Sequence, residues 1–102
     1  MKESGIMKDK RKELIASIER NMSWTNFDDN FLMAESVGGM YYLTIEGARL
    51  GKGDALYDIR SSKLDGIRQT AKDVGANFVI KASTKYNLSI EFYWNIEDLK
   101  VK

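Results

Sequence analysis

A run that alternates without a break, Leu88-Ser89-Ile90-Glu91-Phe92-Tyr93-Trp94, narrows the folds open to this chain more than any other stretch. Side chains of a strand point to opposite faces in turn, so Leu88, Ile90, Phe92 and Trp94 share one face while Ser89, Glu91 and Tyr93 share the other. A face carrying Phe and Trp has to be covered, because each ring removes on the order of 150–250 Å² from water. The cover is expected directly upstream. Leu64, Ile67, Ala71 and Val74 recur at helical spacing and make a narrow apolar stripe, with Lys63, Arg68, Gln69, Lys72 and Asp73 outside it. Ser61 and Ser62 suit an N-cap, and Ser62 with Asp65 approximates a capping box. Gly75 stands where a left-handed C-terminal cap is wanted. Between this helix and the alternating run, Asn77-Phe78-Val79-Ile80-Lys81-Ala82-Ser83 has the β-branched and aromatic content of a strand, and Lys85-Tyr86-Asn87 supplies a turn.

The chain before this unit reads as material packed on it or beside it. Residues 1–6 are a frayed start. A helix over residues 7–22 places Met7, Leu14, Ile15, Ile18 and Met22 on its apolar side, and its head carries the basic cluster Lys8, Lys10, Arg11 and Lys12. Residues 23–30 form a loop whose Trp24 and Phe27 plug the core. Gly38-Gly39 between runs 31–37 and 40–46 marks a hairpin, since both turn positions accept positive φ. Tyr41, Leu43 and Ile45 then face inward, and Met40, Tyr42, Thr44 and Glu46 outward. Residues 55–60 add a short strand. The expected fold is a single α+β domain over residues 1–102, in the order α-β-β-β-α-β-β, with one antiparallel sheet and two helices packed on one face.

Composition excludes several kinds of chemistry. The chain has no Cys, which removes thiolate catalysis, disulfides and Cys-ligated zinc, and no His, which removes the usual general base near neutral pH and the commonest metal ligand. Asp28-Asp29 is the best carboxylate pair, but without a third spaced acid it reads as a turn. The stretch Gly47-x-x-x-Gly51-Lys52-Gly53 has a superficial phosphate-loop look; its spacing is one residue short and no Ser or Thr follows the lysine. It is better described as a weakly basic wing tip. No catalytic residue, cofactor, metal or small-molecule substrate is expected. The charged N-terminus lacks the apolar segment of a secretory signal and no apolar run approaches the ~20 residues of a membrane span, so the expected location is cytoplasmic, away from membranes.

Ile67-Arg68-Gln69, Asp73-Val74-Gly75, Asn77-Phe78-Val79-Ile80-Lys81 and Leu88-Ser89-Ile90-Glu91, followed by Ile96-Glu97, fall in an order that resembles the C-terminal double-wing domains of T-even phage middle-promoter activators. The resemblance covers roughly residues 13–101 and implies a saddle-shaped sheet that rides on duplex DNA with basic wings. The residues themselves put Met40, Tyr42, Thr44, Val79, Lys81, Ser83, Ser89, Glu91 and Tyr93 on the bare face of the sheet. The expected contact residues are Tyr42, Arg49, Lys52, Lys81, Lys85 and Tyr93, with the cations on phosphates and the tyrosines stacking or gripping sugars. The chain therefore reads as a non-enzymatic binding protein of phage or mobile-element type. Its first expected partner is double-stranded DNA, as a small transcription regulator. The alternative is an inhibitor that covers the functional site of a host or defence protein, which a net charge of +1 suits better. Self-association as a homodimer through the sheet face or an edge is a further expectation.

Overall fold

A computed structural model describes residues 8, 10–23, 32–49, 61–82 and 87–100, and within these the side chains of all but 46–49, 61–63, 82, 87 and 88. The elements are α1 (Arg11–Asn21), β1 (Leu32–Val37), β2 (Met40–Arg49), α2 (Ser61–Val74), β3 (Asn77–Ala82), β4 (Asn87–Asn95) and a short α3 (Ile96–Leu99). The α+β class and the antiparallel sheet are as expected. The strand over residues 55–60, the core plugs Trp24 and Phe27, the Asp28-Asp29 turn and the frayed start lie outside the described residues, as do the side chains of the Ser61-Ser62 cap.

The four strands run antiparallel in the order β1-β2-β4-β3. The Gly38-Gly39 turn has φ of +60° and +79°, and it sets the register from Val37 opposite Met40 down to Leu32 opposite Ile45. Two positive φ values in a two-residue loop match the right-handed twist of the flanking strands. Pairing of β2 with β4 then assembles three inward rows: Ser36–Tyr41–Trp94, Ala34–Leu43–Phe92–Phe78 and Leu32–Ile45–Ile90–Ile80. Leu43, Ile45, Ile90 and Phe92 are fully buried, and Trp94 and Tyr41 nearly so, with ring centroids 5.9 Å apart.

Both long helices cover this inward side. Leu14, Ile18 and Met22 of the α1 segment and Ile67, Ala71 and Val74 of α2 join the strand residues in one core. Two buried polar residues complete the helix faces. Thr70 is fully buried and its Oγ1 donates to the Gly66 carbonyl at 2.8 Å, so the hydroxyl is satisfied inside its own helix. Ser17, also fully buried, turns to α2. The first helix starts later than the expected residue 7: Lys10 holds its N-cap position without a side-chain bond, and the N–H of Lys8 donates instead to the Leu99 carbonyl at 2.8 Å. The short α3 was not anticipated. Asn95 caps it by accepting from Glu97 N, Leu99 sinks into the core, and the Ile96 N–H donates to the Gly39 carbonyl at 2.9 Å.

The end of α2 positions everything after it. Gly75, with φ of +69°, receives a paired set of closing bonds: Ala76 N to Ala71 O at 2.8 Å and Gly75 N to Lys72 O at 3.2 Å. These satisfy two of the last carbonyls of the helix. A third, that of Val74, accepts the buried Trp94 indole N–H at 2.9 Å. Nothing lies within 4 Å of a Cβ built on Gly75, so Gly75→Ala meets no clash and its cost is conformational. It should lower stability by about 1 kcal/mol, a fall in Tm of about 4–8 °C for a domain of this size, measured by calorimetry. Trp94→Phe keeps most of the buried ring but strands the Val74 carbonyl, with an expected loss of about 1–3 kcal/mol in urea unfolding. An unchanged Tm in both variants would show that the helix end does not hold the sheet in place.

Candidate binding face

The side of the sheet away from the helices carries the outward rows Val37–Met40–Asn95, Glu35–Tyr42–Tyr93–Asn77 and Met33–Thr44–Glu91–Val79. Tyr42 and Tyr93 are direct cross-strand partners at the centre, with ring centroids 6.0 Å apart and planes tilted by 38°. That is a favourable aromatic separation, and the pair is only half-buried. Around it stand the three most exposed large apolar residues of the described chain: Met33, Val37 and Val79, at 59%, 54% and 42% exposure.

The charges on this face are largely spoken for. Lys81 Nζ lies 2.9 Å from Glu91 Oε1, a diagonal pair across β3 and β4. Lys81 was expected to meet phosphate, yet it spends its charge on a carboxylate of the same face. Glu35 stands exposed in the tyrosine row, opposite Tyr42. Arg49 ends β2 in register with Asn87, so it belongs to a strand rather than a loop; Lys52 and Lys85 lie outside the described residues. The structure thus brings Tyr42, Tyr93 and Lys81 onto one face. Ser89 departs from expectation. Between the pairs Ile45–Ile90 and Ala48–Leu88, Glu46 and Gly47 of β2 stand against Ser89 alone. At this bulge the ladder is locally disrupted, and Ser89 is buried at 5% exposure rather than displayed.

Met33, Glu35 and Val37 were missing from the expected face. Their signal was present: a two-residue Gly-Gly loop forces Val37 opposite Met40, and alternation then puts Met33 and Glu35 on the same side as Tyr42.

Among the described residues the most perturbed titratable group lies elsewhere, on the seam between α1 and α2. Asp73 Oδ2 accepts from Arg20 Nη2, Asn21 Nδ2 and Ser17 Oγ, each at 2.9 Å, and its Oδ1 accepts from Gln69 Nε2 at 2.7 Å. The Arg20 guanidinium first, then the Gln69, Asn21 and Ser17 donors, hold this carboxyl far below the usual carboxylate range. Perturbed groups often mark active sites. Here every partner is a donor from α1 or α2, so the cluster reads as a fastener of α1 to α2. Among the described residues there is no group of three acidic, His or Cys side chains able to hold a metal, and no helix is long and apolar enough to cross a membrane.

Comparison of the chain with family models, with curated proteins and with solved structures finds no match.

Because the folded Asp73 holds its proton less tightly than the unfolded one, its contribution is complete above the ordinary value of 3.8 and disappears as pH falls through the lower folded value. Wild type should therefore exceed Asp73→Asn in urea midpoint at neutral pH, and the gap should narrow steadily below about pH 5. A gap that stays constant down to about pH 2 would remove the seam from the account.

Proposed function

We propose that this chain is a cytoplasmic, non-enzymatic binding module that uses the bare sheet face to cover a functional site on a partner protein. The observation that carries the reading is the composition of that face: a central tyrosine pair ringed by exposed Met33, Val37 and Val79, with its lysine already matched to Glu91. Aromatic and Met side chains are enriched at protein interfaces, and their rings supply contact area at little entropic cost. Duplex DNA, the competing partner and the one implied by the resemblance to phage activator domains, fits this face less well. Glu35 stands in the tyrosine row itself, where a phosphate backbone would be repelled, and the expected cation Lys81 is engaged.

The test is affinity capture from host lysate with wild type and with Tyr42→Ala and Tyr93→Ala, the folds being checked by circular dichroism. One stoichiometric, nuclease-resistant protein should be retained by wild type. Each tyrosine truncation should weaken it by at least about 2 kcal/mol, roughly thirtyfold. Capture that is indifferent to both truncations, or a gel shift with random duplex DNA that both truncations abolish, would overturn the reading.

A further inference from the structure

Tyr93 belongs to two surfaces at once. Beside the sheet face it also lines an open groove of about 500 Å³ at the start of β3, whose other walls include Arg68 and Lys72 of α2 and Asn77 and Phe78 of β3. Arg68 and Lys72 are four residues apart and so lie on the same side of the helix. Their charge is barely compensated. Among the described residues Arg68 pairs with Asp65, whose Oδ1 is 3.6 Å from Nη1 with both side chains more than 60% exposed. Lys72 has no ion pair among the described residues, and the side-chain amide of Asn77 has no hydrogen-bond partner there. Asp73 follows Lys72 in sequence, yet it is committed to Arg20, Asn21, Ser17 and Gln69 on the seam with α1. The result is a groove with two cations and an amide along its walls and two aromatic rings, continuous through Tyr93 with the apolar face.

We infer that this groove is a subsite for an acidic, extended segment of the partner protein, whose carboxylates meet Arg68, Lys72 and Asn77 while its apolar stems rest on Phe78 and Tyr93. A planar guanidinium binds a carboxylate through two parallel bonds, and charge-assisted bonds of this kind are the strong ones. The inference rests on the protein-binding reading above and adds the partner's chemistry: acidic residues next to an apolar contact. A peptide is favoured over nucleic acid because the path from the groove onto the face runs along the row Tyr93–Tyr42–Glu35. A peptide can place an apolar or basic side chain opposite Glu35, whereas a phosphate backbone carries its negative charge at every step.

The experiment is an amide-shift titration of the isotope-labelled chain with a hexaglutamate peptide, and in parallel with a hexalysine peptide and a short duplex DNA. Hexaglutamate should shift the amides of Arg68, Lys72, Asn77, Phe78 and Tyr93 in a saturable way, and hexalysine should leave them unmoved. The double variant Arg68→Glu, Lys72→Glu should weaken the titration at least tenfold while its spectrum keeps the wild-type dispersion. Absence of shifts, equal shifts with hexalysine, or shifts of the same amides by DNA at lower concentration than by hexaglutamate would overturn the subsite. Its failure is separable from that of the sheet-face reading: capture that depends on Tyr42 with no peptide response in the groove sinks the subsite alone.

Discussion

Pairing of β2 with β4 is the interaction on which the other parts of this molecule depend. The two strands are far apart in sequence, with α2 and β3 between them, so their union carries a loop-closure penalty that local structure cannot offset. Three stacked pairs on the inward side meet that penalty: Tyr41 with Trp94, Leu43 with Phe92, and Ile45 with Ile90. β1 is joined to those rows through its glycine turn and β3 through its own antiparallel register. The sheet then has a single apolar side for the helices to cover.

That one-sidedness is what leaves the outer face of the sheet uncovered by either helix. Burial of Leu14, Ile18, Ile67 and Val74 uses the inward rows, and the Asp73 cluster draws α1 and α2 together over them. The outward rows receive neither helix and keep Met33, Val37 and Val79 in contact with water. Exposed apolar residues gathered around an aromatic pair are a recognisable mark of an interaction surface, whereas the same residues scattered singly would carry no meaning. The seam has a second effect. By accepting from α1 and from Gln69, Asp73 is committed to the seam, and Lys72 beside it in sequence forms no ion pair among the described residues.

Much of the scaffold was legible in the residues. Alternation from Ile90 to Trp94, the stripe of Ile67, Ala71 and Val74, the stop at Gly75 and the Gly38-Gly39 turn are each written in a few neighbouring residues, and each appears as read. What was missed has one shape. Thr70 and Ser17 stood in no reading of the apolar stripes, and a bond to Gly66 O in one case and to Asp73 in the other lets these polar residues be buried. Ser89 looked like an outward strand residue until the bulge in β2 altered its surroundings. The four-residue α3 carries too little periodicity to announce itself, and its place depends on Gly39 and Lys8, both distant in sequence. Of the expected contact residues, the tyrosines were placed correctly on the outward side by strand period alone. Lys81 lies on that side too, and strand period alone does not announce that Glu91 stands within 2.9 Å of it across the ladder.

By itself the sequence determined the local grammar of this protein: where strands alternate, where φ must turn positive, which faces are apolar, and which chemistries a chain without Cys and His lacks. Those properties depend on neighbouring residues and on composition, so no long-range contact is needed to read them. Tertiary structure alone set which charges cancel and which survive. Lys81 meets Glu91, Arg20 meets Asp73, Tyr42 lies against Tyr93, and Arg68 and Lys72 come to border Phe78 and Tyr93. The physical reason is that electrostatic and aromatic pairings act over a few ångströms of space, and the distance between two side chains is fixed by strand register and helix packing, which no short run of residues encodes.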